Sequence, residues 1–256
     1  MRNCLILGSG RSGTSMVAAT LAKSGYFMGE KISRSRANNP QGNFEDLEVN
    51  RINEQLLAQV VPKRPKFIGK WLFLDRPVMW QRWLSRVPVG TQISTSDLIN
   101  EKISALTNKK PYCFKDPRFS YTLPVWQPFL KDTVFVCIFR EPANTAESIL
   151  TLLQKAPHLK NPGFAISFHQ AVEVWTLIYK HILEIHRHQG EWLFLHYNQA
   201  VTKQGLAQLE TFTGASVDYS IPDLSIRQSY SQASTSPESI NIYQQLCQLA
   251  NYENLN

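Results

Sequence analysis

The chain has 256 residues, of which 43% are apolar and 11% aromatic, enough to build the core of one α/β domain. Lys and Arg number 27 against 20 Asp and Glu, and the net charge of +7 favours anionic ligands. The basic residues are scattered and no nucleic-acid-binding motif is recognisable, so nucleic acid is not expected as a partner. The apolar run after Arg2 ends at Gly8 and is too short to span a bilayer. We therefore expect one cytoplasmic domain over residues 1–256.

Apolar runs that alternate with helical patterns predict a parallel α/β sheet. The first run, residues 3–7, stops at a glycine-rich stretch, after which residues 14–23 have helical spacing. Further strand-like runs lie at 111–114, 133–139 and 191–196. Further helical patterns lie at 98–108, 144–155 and 164–188, and Ser236-Pro237 predicts the start of a last helix. The alternation predicts the three-layer, doubly wound parallel sheet of P-loop proteins, with helices on both faces.

Two stretches lack sustained periodicity, residues 26–45 and 61–97. Both are long for connections inside a compact domain, and we interpret them as lids or acceptor loops over a site. Trp71, Trp80 and Trp83 in the second stretch are candidates to line an acceptor pocket, although aromatic residues more often belong to a core.

The glycine-rich stretch GSGRSGTS, residues 8–15, has the spacing of a P-loop. In such a loop, backbone N–H groups and the start of the next helix form an anion site. Thr14 stands where an ATP- or GTP-binding loop has its Lys, and the cation is instead Arg11, inside the loop. A tight turn between strand and helix is the alternative interpretation.

The run at 133–139 ends in Arg140, where an NTPase strand would end in the Asp that holds Mg²⁺. Ser148 follows eight residues later, on the next predicted helix. An Arg at a strand end and a hydroxyl on the following helix can converge on a phosphate at the carboxyl edge of the sheet. The alternative is an Arg paired with a surface carboxylate such as Glu141 or Glu147.

A third charged motif, Lys115-Asp116-Pro117-Arg118, directly follows the apolar run at 111–114. Its charges are expected at the same edge of the sheet. They either serve the anion site or form an internal ion-pair cluster that shapes the turn. The histidines predict no metal site, because His186 and His188 would face different sides of a helix end in solvent.

Together, GSGRSGTS, the Arg140-Glu-Pro-x5-Ser148 pattern and FKDPRFSYTLPVW resemble the sulfotransferase family. That family transfers a sulfuryl group from PAPS (3′-phosphoadenosine 5′-phosphosulfate) to a hydroxyl or amine and releases PAP. The resemblance implies that the 3′-phosphate binds to Arg140 and Ser148. It implies that the 5′-phosphosulfate binds to Gly10, Arg11, Ser12, Gly13, Thr14 and Ser15.

The RSGT form of the loop and the KDP sequence are also similar to tyrosylprotein sulfotransferases, which implies that Arg11 and Lys115 stabilise charge on the transferring group. Sulfuryl carries less charge than phosphoryl, so no metal is expected to be required. The acceptor, a carbohydrate, peptide or small metabolite, must lose a proton to a carboxylate. Glu45 is the first candidate for this base, and Asp116 and Glu30 are the others.

Two other functions fit part of this pattern. A P-loop kinase or NTPase is favoured by the strand, loop and helix at the start of the chain and opposed by Thr14 and Arg140. A catalytically silent module that binds PAP or a nucleotide would keep the same fold without turnover.

Overall fold

The computed structural model describes residues 1–32, 42–65, 67–155, 163–222 and 230–253. Its sheet has four strands, β1 (Asn3–Leu7), β2 (Cys113–Lys115), β3 (Thr133–Phe139) and β4 (Glu191–His196). They are parallel and lie in the order β2-β1-β3-β4. β2 lies on one side of β1, whereas β3 and β4 lie on its other side. The connections that follow β1 and β3 therefore run in opposite directions from the carboxyl ends of these two strands, and open α/β sheets bind ligands at such a point.

Helices cover both faces of the sheet. The α-helices of the described ranges are α1 (Thr14–Leu21), α2 (Leu47–Leu57), α3 (Asp97–Thr107), α4 (Phe119–Trp126), α5 (Pro142–Lys155), α6 (Phe168–His181), α7 (Tyr197–Ala200), α8 (Lys203–Thr213) and α9 (Pro237–Leu249). Along β3, Phe135 and Cys137 face a core shared with α2 to α6 and α9. Val134 and Val136 face a second core shared with α1 and α8. The predicted doubly wound α/β sheet is therefore confirmed.

The predicted bounds of β1, β3 and β4 are confirmed, whereas β2 begins at Cys113 rather than 111. Pro111 has no N–H to donate to a strand ladder, which accounts for the later start. The helix predicted at 164–188 begins only at Phe168 because Ser167 forms a capping box with Gln170. It ends at His181 and continues as a π-helical turn, Ile182–His186.

This π-helical turn overturns the expectation that His186 is solvated. Its wider winding turns the imidazole into the core, where Nε2 lies 2.9 Å from the carbonyl oxygen of Ser120. Burial lowers the pKa of His186 to about 4. In the described part of the chain, no helix is long and apolar enough to cross a membrane.

Candidate active site

The loop between β1 and α1 is the first part of the site, and close packing explains its glycines. Gly13 has φ 98°, and a Cβ there would lie 2.6 Å from the ring of Tyr197. A Cβ on Gly10 would lie 2.5 Å from the ring of Trp83. Only glycine fits where neighbouring rings approach the backbone this closely. Arg11, between them, also has a positive φ, of 72°.

A buried tyrosine on α6 holds this loop against the sheet. The Tyr179 hydroxyl accepts a hydrogen bond from Ser9 N at 3.1 Å and donates to the carbonyl oxygen of Ile138 at 2.7 Å. It also lies 3.1 Å from Ser12 Oγ. One side chain thus ties two loop residues to the end of β3. Sequence reasoning assigned Tyr179 only to the apolar stripe of a helix, because nothing local distinguishes a core tyrosine from one whose hydroxyl supports a loop.

The loop contacts the second predicted motif directly. Arg11 Nε donates a hydrogen bond to Ser148 Oγ at 3.1 Å. Burial, together with the positive charge of nearby Arg140, lowers the pKa of Arg11. Arg11 is half-buried and Arg140 is buried, and two cations this poorly hydrated repel each other, so an anion bound between them would be strongly favoured. The structure therefore places Arg11 next to Ser148 and Arg140, and the binding of anions by these residues stays a prediction.

Arg140 is positioned by groups around the end of β3. Its carbonyl oxygen accepts a hydrogen bond from Trp175 Nε1 at 3.0 Å. Its guanidinium carbon lies 5.4 Å from the ring centroid of Tyr197, within reach of a cation–π interaction. The same Tyr197 ring packs on Gly13. This aromatic ring therefore contacts both the P-loop and the arginine at the end of β3. No sequence motif predicted these two contacts.

Glu141, the alternative partner of Arg140, forms a long ion pair with it and also approaches His196. Its Oε2 lies 3.9 Å from Arg140 Nε, too far for a hydrogen bond, and its Oε1 lies 3.6 Å from His196 Nε2. Burial would raise the pKa of Glu141, but the interaction with His196 outweighs it and the pKa is about 2. Glu141 is thus ionised at neutral pH and adds a charge beside Arg140 without a direct hydrogen bond to it.

Lys115, at the end of β2, pairs with the first candidate base. Its ammonium group is almost completely buried and donates a hydrogen bond to Glu45 Oε1. The other oxygen of Glu45 accepts a hydrogen bond from Asn50 Nδ2 at 3.0 Å. Burial would raise the pKa of Glu45, but the charges of Lys115 and Arg118 outweigh it, and the pKa is lowered. Such an ionised carboxylate can accept a proton from a substrate once its ion pair with the lysine opens.

The other two charges of this motif form a buried ion-pair network. Asp116 accepts hydrogen bonds from Arg118 Nη1 and from Asn53 Nδ2, both at 3.0 Å. Arg118 Nε donates to Glu54 Oε1 at 2.8 Å, and Arg82 Nη1 donates to Glu54 Oε2 at 2.7 Å. Burial raises the pKa of Asp116 even though Arg118 opposes the shift. The expected internal cluster therefore holds Asp116 and Arg118, while Lys115 contacts a different partner.

The same fold occurs in solved proteins. No protein-family model and no curated protein sequence matches the chain. Among solved structures, the sulfotransferase domain from the curacin biosynthetic pathway has a TM-score of 0.57 at 16% identity, over 99% of both chains. The sulfotransferase domain of the Synechococcus PCC 7002 olefin synthase has a TM-score of 0.54 at 15% identity, over 96% of this chain and 94% of that one. The chain has the fold of a sulfotransferase domain.

Within this sulfotransferase fold, the remaining candidate base and most of the candidate acceptor-pocket tryptophans lie on the exposed surface. Glu30 is exposed and pairs with Lys109, whose hydrogen bond lowers the pKa of the carboxyl group. Among the tryptophans, Trp83 lies on the P-loop, whereas Trp71 has 82% of its surface exposed and Trp80 is also exposed. The part of the candidate acceptor loop at residues 33–41 lies outside the described residues.

Proposed function

We propose that this protein is a PAPS-dependent sulfotransferase that transfers a sulfuryl group to a hydroxyl or amine acceptor. One observation carries the proposal: the hydrogen bond from Arg11 to Ser148, beside Arg140. It unites two motifs, 137 residues apart, that would bind the two ends of a ligand with two anionic groups. The fold shared with sulfotransferase domains supports the same reaction class.

The residues present fit the donor, and PAPS when bound supplies the sulfuryl group. Loop N–H groups and the start of α1 would hold the 5′-phosphosulfate, with Arg11 neutralising its charge. Arg140 and Ser148 would hold the 3′-phosphate through charge-assisted hydrogen bonds. The rings of Trp83 and Tyr197, packed on Gly10 and Gly13, hold the loop in the conformation whose N–H groups would face the anion.

The charged pair Lys115 and Glu45 fits the transfer step. Glu45 would accept the proton as the acceptor oxygen or nitrogen bonds to sulfur. The bond between sulfur and the bridging oxygen breaks, and PAP leaves with the electron pair. Lys115 and Arg11 would stabilise the negative charge that develops on that oxygen. We assign Asp116 to holding Arg118, because both of its oxygens are already engaged inside the protein.

Donor binding is tested by the variant Arg140→Ala. PAP should raise the Tm of the wild-type protein without added Mg²⁺, whereas ATP with Mg²⁺ should not. The variant should bind PAP at least about tenfold more weakly, about 1.4 kcal/mol, because a charge-assisted contact to the 3′-phosphate is lost. Titration calorimetry measures this change.

Two controls make the donor test specific. Adenosine 5′-phosphosulfate lacks the 3′-phosphate, so its affinity should fall much less in Arg140→Ala than that of PAP. Arg51→Ala removes an exposed arginine on α2 and should leave both affinities unchanged. Equal losses for the two ligands in Arg140→Ala would contradict the 3′-phosphate assignment, and a wild-type protein stabilised by ATP with Mg²⁺ instead of PAP would contradict the proposed function.

Glu45→Gln tests the base. It keeps the shape of the side chain and removes its basicity, so kcat should fall by about 10²–10⁴-fold. Because the pKa of Glu45 is lowered, the wild-type rate should fall only as the pH drops below the ordinary glutamate value of 4.5, and the variant should lack this acid limb. Nitrophenols, whose hydroxyl is already acidic, should be affected least.

Glu48→Gln is the matched control for this substitution, since Glu48 lies on α2 near Glu45 in sequence but pairs with Lys102. Its pH–rate profile should equal that of the wild type. A normal kcat in Glu45→Gln, with a loss in Glu30→Gln or Asp116→Asn, would assign the base to another carboxylate.

A further inference from the structure

The described residues 63–65 and 67–76 belong to one surface loop, whose ends are held together by arginines. Arg64 Nε donates a hydrogen bond to the carbonyl oxygen of Arg76 at 3.0 Å, and its Nη2 donates to that of Leu74 at 2.9 Å. In return, Arg76 Nη1 donates to the carbonyl oxygen of Lys63 at 3.1 Å. These reciprocal bonds bring the two ends of the loop together, as in a compact Ω-loop. We call this end the basic neck.

Residues 67–72, which we call the apolar tip, present large hydrophobic side chains to solvent. The exposed fractions are 91% for Phe67, 52% for Ile68, 82% for Trp71 and 56% for Leu72. Side chains of this kind are normally buried, and a contiguous exposed group of them marks an interaction surface. The tip therefore needs a partner that accepts apolar groups.

The charge of the segment that carries the apolar tip indicates which kind of partner the tip binds. Residues 63–76 contain five basic residues, Lys63, Arg64, Lys66, Lys70 and Arg76, and a single acidic one, Asp75. The Asp75 carboxylate is paired with Arg86, which leaves the loop strongly cationic. Protein interfaces are depleted of lysine at their centres, whereas an apolar tip carried by a basic segment suits a bilayer surface with anionic headgroups.

We propose that this loop binds the surface of an anionic lipid bilayer, with the apolar tip inserted among the headgroups and the net positive charge of the segment attracted to their phosphates. Tryptophan prefers this interfacial depth, and lysine and arginine can extend their charges toward the headgroups while their stems stay in apolar surroundings. The contact is peripheral, because the tip is far shorter than a membrane span. It does not depend on sulfuryl transfer.

Vesicle co-sedimentation of the full chain tests this proposal. We expect binding to vesicles of phosphatidylcholine mixed with phosphatidylglycerol, weak binding to phosphatidylcholine alone, and release by high salt. The double variant Phe67→Ser/Trp71→Ser should lower the partition coefficient at least about tenfold, since it removes the inserted groups. Leu98→Ser, which replaces a residue 62% exposed on α3, is the matched control and should bind like the wild type.

Thermal unfolding of each variant shows whether the fold is intact, and the loop variants should melt like the wild type because their side chains are exposed. No wild-type binding to mixed vesicles, equal binding to both vesicle types, or undiminished binding by the double variant would each overturn the proposal. Self-association of the wild type that the double variant abolishes, without vesicle binding, would assign the tip to a second copy of the chain and would also overturn it.

Discussion

Replacing Lys115 by Ala should lower kcat by about 10²–10³-fold, the usual loss when one preorganised donor to a developing negative charge is removed. The ammonium group is only 2% exposed and lies where β2 ends, so water cannot readily take its place. The affinity for PAP should change little, because the lost interaction is strongest in the transition state. Steady-state kinetics with saturating PAPS, together with PAP titration, separates the two quantities.

Two further variants distinguish catalysis from folding. Lys115→Ala leaves Glu45 without its main partner, so the double variant Lys115→Met/Glu45→Gln, which removes both charges, should recover stability without recovering kcat. Lys109→Ala removes an exposed lysine paired with Glu30 and should leave kcat unchanged. A double variant with near-normal turnover would remove Lys115 from the mechanism.

Replacing Glu54 by Ala should lower the free energy of unfolding by about 3–5 kcal/mol, the cost of breaking a buried ion pair by removing one partner. The Glu54 carboxylate is almost completely buried and is shared by Arg118 and Arg82. Its removal leaves the buried Arg118 and the partly buried Arg82 without this counter-charge. Urea unfolding measures the change.

The exposed Glu101 on α3 provides the control, since Glu101→Ala should stay within about 0.5 kcal/mol of the wild type. Glu54→Gln, which retains hydrogen-bonding capacity but no charge, should fall between the two. A loss below 1 kcal/mol in Glu54→Ala would mean that water replaces the carboxylate, and the network would then contribute little to holding Arg82 in place.

The sheet could be predicted well because its strands carry a strong local signal. β1, β3 and β4 are continuous apolar runs with clear ends, since a strand covered on both faces tolerates few polar residues. The helix α4 gave no such signal: it contains Pro124, and seven of its eight residues are buried, so no polar face sets its period. The start of α6 depended on a cap at Ser167 that the longer apolar pattern concealed.

The site could be predicted only where a motif is local. The P-loop and the Arg140 to Ser148 spacing each lie within a short stretch, and the fold then brings Arg11 to Ser148. Tyr179 and Glu54 could not be found in the same way, because their partners lie in distant parts of the sequence. The roles of Arg11, Lys115 and Glu45 in turnover remain predictions.

The contacts that hold residues 61–97 in place determine which part of this segment can be exchanged. Among its described residues, this segment has two short 3₁₀ turns and no other helix or strand before α3. Arg82 anchors it to Glu54 on α2, and the basic neck closes its outer loop. The strand ends that carry the P-loop and Arg140 take no part in these anchors. A chimera that exchanges only the stretch between Arg64 and Arg76 for another loop of similar span should therefore keep its donor affinity while acquiring the surface preference of the transplanted piece.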